Sequence, residues 1–227
     1  MNGNIWNIIR SIIPSIYFNF HYLPLKQAIK LPILLYKPSF IQCKGKIILE
    51  GGARFGLIKL GFPAVSVFPN SGIKYENKGG VLVFCGKCNI GNNSFISLGE
   101  SGNVEFGDKF CATTSFRLVS YNKITFGKNV LFGWECICLD TDFHRLTRID
   151  GVSVKAYGPI IIEDNCWISM KCVILKNTRL ASYSIAGANS TLNTVYEESK
   201  CLYAGTPAKL VKRGIFRDPD SDSISYQ

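Results

Sequence analysis

Asp140, Asp142 and His144 fall within five residues, in the run Asp140-Thr-Asp-Phe-His144. An imidazole titrates at about pH 6.5, so at neutral pH it can take a proton from a hydroxyl as a general base. Either carboxylate could orient the ring, and a backbone carbonyl would serve equally well. His144 is one of only two histidines in the 227-residue chain. The other, His21, lies among apolar residues near the start and reads as structural. Metal chemistry has no comparable support. Cys85-Gly-Lys-Cys88 is a lone CxxC without a second pair at metal spacing, so no metal site is expected.

The bulk properties bound what can carry such a group. Nearly half the residues are apolar and only 19% are charged, so one domain with a sizeable core is expected. Nine cysteines, an odd number, stand in a chain whose start lacks a basic segment and a small-residue cleavage site. Free thiols in a reducing cytoplasm are the expectation. The net charge of +10 is concentrated early, with eight basic residues up to Lys59 against one acid, Glu50. No helix-turn-helix, RNA-binding or zinc-finger pattern accompanies that charge, so nucleic acid is not expected as a partner.

Residues 1–45 read as an amphipathic cap of one or two short helices and an extended segment, broken by Pro14, Pro24 and Pro32. The uncharged stretch from Ser11 to Leu25 falls short of the ~20 residues needed to span a bilayer. Covering the open end of a solenoid is one reading of residues 1–40; peripheral contact with the inner membrane face is the other.

From Phe84 the sequence has a period of six: an apolar residue, a small or acidic one, two turn residues, a small or β-branched residue, and a variable one. First positions at Ile162, Ile168, Ile174, Leu180, Ala186 and Leu192 run without a slip. Three such hexads close one triangular coil of about 18 residues, and coils stack by backbone hydrogen bonding. The expected fold is therefore all-β, a single-stranded parallel β-helix over residues 46–213. Its corners should visit the left-handed backbone region, which is the reason expected for Gly91, Asn92, Asn93, Gly107, Asn129 and Asn165. Cys88, Cys136, Cys166 and Cys172 fall on the fifth, inward position, with Phe110 oversized there. The rhythm breaks at 141–157, an excursion loop that carries His144. Residues 214–227 read as a flexible tail.

Three stretches give the chain a resemblance to the hexapeptide-repeat acyltransferases, especially maltose/galactoside acetyltransferase-like proteins and capsule or lipopolysaccharide O-acetyltransferases. They are Asp140-Thr-Asp-Phe-His144, Gly158-Pro-Ile-Ile-Ile-Glu-Asp-Asn-Cys-Trp-Ile168, and Tyr203-Ala-Gly-Thr-Pro-Ala-Lys209. The resemblance covers roughly residues 80–215. It implies a left-handed helix, although parallel crossovers normally take the other hand, and a homotrimer with active sites between subunits. It also implies acetyl-CoA as acyl donor, with pantetheine beside Met170 and Ala188, Asn193 at a cofactor contact, and Lys209 and Lys212 toward the phosphates. The backbone N–H near Met170 would serve the thioester oxyanion.

The sequence departs from the family at Ser169, where Gly is usual, and at Asn193, where Thr is frequent. Trp134, Glu135 and Trp167 are candidates for the acceptor pocket, with ordinary corner and packing roles as the other reading. Phe106, Phe132 and Trp134 are expected on coil edges that meet a neighbouring subunit. The activity implied is O-acetylation of a sugar hydroxyl in surface polysaccharide biosynthesis, by direct transfer. N-acetylation of an amino sugar and a non-catalytic scaffold are the alternatives. Related carbonic anhydrases need three zinc-binding histidines, and sugar-nucleotide uridylyltransferases need a preceding nucleotide-binding domain.

Overall fold

The structure, a computed structural model, describes residues 3–221, with side chains from residue 11 onward. Two helices, α1 (Gly3–Tyr22) and α2 (Leu25–Ala28), precede a left-handed parallel β-helix. The strands β1 (Ile33–Leu35), β2 (Pro38–Cys43) and β3 (Lys46–Leu49) open its first, second and third walls. Later coils add parallel strands to the three walls, in register apart from irregularities between Phe40 and Gln42 and between Leu60 and Phe62. On the third wall Phe84, Phe106, Phe126 and Ile162 stand directly over one another. The solenoid thus begins at Ile33 and not at residue 46. Insertions at 50–57 and 63–72 separate the first strands and erase the period there.

Inward and outward residues alternate along each strand, as the pleat requires. The inward file of rings is continuous: Phe84 stacks on Phe106 at 5.2 Å between centroids, and Phe106 on Phe126 at 5.4 Å. Full burial of each such ring contributes about 2 kcal/mol. Phe106 and Phe132 are completely buried in this stack, so they are core residues and offer no surface to a neighbour. The oversized Phe110 fits because its register partner one coil earlier is the small Cys88, and Val130 follows. Cys88, Cys136, Cys166 and Cys172 are buried in the file with Ser94, Val130, Thr178, Ser184 and Ser190.

The corners divide into two kinds. Asn93, Asn129 and Asn165 do take positive φ, as do Lys109, Glu135, Lys171, Asn177, Tyr183 and Asn189. Gly91, Asn92 and Gly107 do not. Gly91 is needed for proximity instead: a Cβ there would sit 1.7 Å from the Thr113 carbonyl oxygen of the next coil. Gly107 likewise passes Gly127, with a Cβ position 2.4 Å from its backbone.

Both ends of the first wall are closed. At the start α1 turns small polar residues inward: the Ile33 N–H donates to Asn19 Oδ1 (3.1 Å), Asn19 Nδ2 donates to the Ile33 carbonyl (2.7 Å), and the Leu35 N–H donates to Ser15 Oγ (2.8 Å). His21 serves structure as expected, its Nε2–H donating to the Cys43 carbonyl at 2.7 Å. At the far end Ala208–Arg213 folds back antiparallel on Cys201–Gly205. Of the expected tail, Ile215 to Arg217 pack back on the wall. The Ile215 N–H donates to the Lys200 carbonyl (2.9 Å), Phe216 meets the Tyr183 ring edge-on, and Arg217 reaches the Asn129 carbonyl. Residues 222–227 lie outside the described residues.

Candidate active site

The excursion at 141–157 is a β-hairpin at the corner between the second and third walls. Leu146–Thr147 pairs antiparallel with Ser153–Val154, and the Asp142 N–H donates to the Ala156 carbonyl at 2.7 Å. Its root is held by Asp140, which is fully buried. One Asp140 oxygen accepts from Ser120 Oγ (2.7 Å) and the Asn122 N–H (3.0 Å), the other from the Tyr121 N–H (2.7 Å). Burial pushes this carboxyl above the ordinary carboxylate range, against the opposing pull of those donors. Asp142 pairs with Lys176 Nζ at 2.5 Å, and the same ammonium donates to the Lys155 carbonyl at 2.7 Å. One lysine of the next coil therefore ties both arms of the hairpin to the wall.

His144 is exposed, and among the described residues no hydrogen bond, ion pair or ring contact engages it. The expectation that Asp140 or Asp142 orients it is not what the protomer displays. Buried backbone donors occupy Asp140, and a lysine occupies Asp142. Their shared effect is to place the loop. Phe143 makes the turn, at φ 59° with its N–H on Thr141 Oγ1 and its ring against the edge of Tyr121. That turn leaves the imidazole free.

A second set of candidates occupies the corner between the first and second walls. Trp134, Met170 and Ala188 stack there on successive coils, with the Lys171 N–H donating to the Trp134 carbonyl (2.7 Å) and the Asn189 N–H to the Met170 carbonyl (2.9 Å). Trp134 and Met170 are each 37% exposed. Among the described residues neither the Met170 nor the Ala188 N–H has an acceptor. Glu135 makes an exposed ion pair with Lys171 at 3.8 Å, an arrangement of small energetic value. Ser169 is buried, accepting from the Cys136 thiol through its carbonyl. Trp167 lies on the outer face of the first wall, beside Leu131 and Ile185.

Lys209 and Lys212, three apart in a strand, would ordinarily point to opposite sides. Here Leu202 pairs with Lys212 and Ala204 with Lys209, and the bulge at Val211 returns both lysines to the outer face. Asn193 is exposed at the second–third corner, on the hairpin's side.

The protomer thus divides the candidates. His144 and Asn193 belong to one corner, Trp134, Met170 and Ala188 to another, and the second wall lies between them. That wall is about 10 Å wide at Ile137–Leu139. Its outer surface carries half-buried Ile137, Leu139, Val173 and Leu175.

Three groups near this wall have no signal in the hexad pattern. The insertion 63–72 brings the Phe68 ring edge-on to Trp134 at 5.5 Å. Lys74 and Arg117 face an open cleft of about 440 Å³ with Phe95 and Ile137. They share that outer face with Glu76, which accepts from Ser97 Oγ at 2.6 Å and pairs with Lys78. Cys88 and Cys138 are unsuited to nucleophilic work, since burial pushes both well above the thiol range.

No protein-family model matches the chain. It is 30% identical over 156 residues to an uncharacterized 24.8 kDa protein in the cps region of Klebsiella pneumoniae, covering 69% of each chain. It is also 30% identical over 144 residues to a galactoside O-acetyltransferase of Lactococcus lactis, covering 60% of this chain and 66% of that one. A putative acetyltransferase of Schizosaccharomyces pombe is 33% identical over 112 residues, and the match spans about half of each chain (49% and 53%). Among solved structures, the polySia-specific acetyltransferase NeuO superposes with a TM-score of 0.55 at 20% identity, covering 79% of this chain and 71% of that one.

Proposed function

Because the chain belongs to the hexapeptide-repeat acyltransferases, we propose that it moves an acetyl group from acetyl-CoA to a sugar hydroxyl, with His144 as general base. The observation that carries this reading is the unengaged imidazole of His144 on a hairpin whose root is braced by Asp140, Asp142 and Lys176. His144 takes the proton of the acceptor hydroxyl as its oxygen attacks the thioester carbonyl carbon. The Met170 N–H, which has no other acceptor among the described residues, receives the developing oxyanion. The C–S bond then breaks, and His144 returns the proton to the departing thiolate. No covalent acyl-enzyme is needed, which suits a chain whose thiols are mostly buried.

Met170 and Ala188 offer an exposed ledge for the pantetheine arm, with Asn193 as a further contact. Lys209 and Lys212, free of ion pairs among the described residues, suit the phosphates. Trp134, Trp167 and Phe68 supply aromatic surface for a sugar ring, with Glu135 at its edge. Lys74 and Arg117 favour an acceptor that carries negative charge. Because the two corners are separated within one protomer, the reading includes a homotrimer in which the hairpin of one subunit meets the Met170 corner of the next. The apolar stretch of the second wall at Ile137, Leu139, Val173 and Leu175 supports that assembly. A cytoplasmic enzyme in peripheral contact with a membrane completes the proposal.

The test is His144→Ala. It should lower kcat by about two to four orders of magnitude, the usual contribution of a positioned base. The KM for acetyl-CoA should barely move, and the rise of kcat/KM with pH through neutrality should vanish. Near-normal turnover in a folded variant that still binds CoA would overturn the mechanism.

A further inference from the structure

From Ser11 to Tyr22 helix α1 is amphipathic in the reverse of the usual sense. A helix that packs on a core turns its apolar stripe inward. Here the fully buried positions include Ser11, Ser15 and Asn19 beside Phe18. The exposed positions are Ile13 (81%), Ile16 (42%), Tyr17 (54%) and Phe20 (50%). They recur at i, i+3, i+4 and i+7, so they form one continuous stripe. The inward polar groups are already spent on the open edge of β1. The stripe consequently points away from the end of the solenoid; among the described residues only Tyr17 touches the wall, its ring 5.9 Å from that of Phe40, and all four side chains stay largely exposed. Leu25 and Ile29 are exposed just beyond it.

The segment that carries the stripe bears charge of one sign, and Asp108 is the acid that lines the same cleft as Lys30, beside Arg54 and Lys87. No acidic residue precedes Glu50, whereas Lys26, Lys30 and Lys44 are all exposed. Lys44 lies at the end of α1, where its carbonyl accepts from Tyr22 Oη at 3.0 Å. A second copy packed face to face would set lysine against lysine across a low-dielectric contact, which opposes self-association. An anionic bilayer meets both features at once, taking the apolar side chains into its interface and the ammonium groups among its headgroups. Among the described residues no helix is long and apolar enough to cross a membrane. A surface helix has no such length requirement.

We propose that the outward stripe of α1, with Lys26, Lys30 and Lys44, docks this protein on an anionic lipid surface. The inference rests on the helix and its charge, and stands apart from the acetyl-transfer reading. The full chain should co-sediment with phosphatidylcholine vesicles containing phosphatidylglycerol, and little with phosphatidylcholine alone. Ile16→Ser/Phe20→Ser should reduce the partition coefficient about ten-fold or more, and Lys26→Gln/Lys30→Gln several-fold, the latter difference fading as salt rises. Ile13→Ser changes the most exposed of the four residues and should weaken binding with an unaltered Tm. Two results would overturn the proposal. One is equal or absent recovery with both vesicle types. The other is an oligomer in sedimentation velocity that the Ile16→Ser/Phe20→Ser variant dissociates, which would assign the stripe to a second copy.

Discussion

Two of the segments that leave the wall of the solenoid end in opposite situations. The insertion 63–72 returns to its own protomer. The Pro69 carbonyl accepts from Asn92 Nδ2 at 2.7 Å, Asn70 Nδ2 donates to Tyr36 Oη at 3.1 Å, and Phe68 rests on Trp134. The hairpin 141–157 is tied down only at its root. From Phe143 to Lys155 it is exposed, with Phe143, Leu146, Ile149, Val152 and Val154 among its surface residues. One insertion completes a wall locally. The other carries apolar side chains and a free imidazole outward, which is sensible when a neighbour supplies the other half of the cleft. Chemistry here depends less on the presence of an insertion than on whether its own protomer can satisfy it.

That contrast can be broken at the hairpin root. Asp140→Ala removes the acceptor of three donors and should cost about 1–3 kcal/mol for each one left buried. It should also lower kcat about ten- to hundred-fold by displacing His144, given how steeply rate depends on position. Asp140→Asn keeps one acceptor oxygen and should recover part of both losses, read by thermal melts and steady-state kinetics. If Asp140→Ala melts lower but turns over normally, the root matters to the fold alone.

The tip offers a smaller effect. Ile149→Asp changes a fully exposed residue and should leave the protomer's stability intact. If the hairpin meets a neighbour, it should raise the dissociation constant of the trimer about ten-fold, as measured by sedimentation across concentrations. An unchanged assembly would mean that the hairpin stays in solvent. The smallest change belongs to the self-satisfied insertion. Phe68→Ala should raise the acceptor KM about two- to five-fold, roughly the loss of one aromatic contact, without moving the KM for acetyl-CoA. An equal effect on both constants would make Phe68 a general support of the Trp134 corner.

Legibility follows the same physics as the contrast. The hexads from Ile162 to Leu192 can be read in the sequence because nothing is inserted between them, so each inward residue announces its place. The first two coils use the same wall geometry, yet the insertions at 50–57 and 63–72 hide it. Gly91 and Asn93 sit in one corner for different reasons, proximity and positive φ, and the spacing alone merges them. His144 is conspicuous as a lone histidine on a break in the rhythm. The partners of Asp140 and Asp142 are not, since Ser120 lies 20 residues away and Lys176 lies 34. Phe68 reaches Trp134 only because coils stack, and the parallel alignment of Lys209 and Lys212 depends on a bulge that no periodicity reveals.

The polar inner face of α1 has a consequence for the particle as a whole. A stack of parallel coils is in principle unlimited, because each terminal strand presents the same unpaired donors and acceptors that built the previous layer. Asn19 and Ser15 use up those groups on β1, and the antiparallel return of Ala208–Arg213 occupies the other terminus. Length is therefore set by the two closures and not by the repeat. Without Asn19 the Ile33 N–H and carbonyl would stand unpaired at the first layer, an open edge on which another strand could pair.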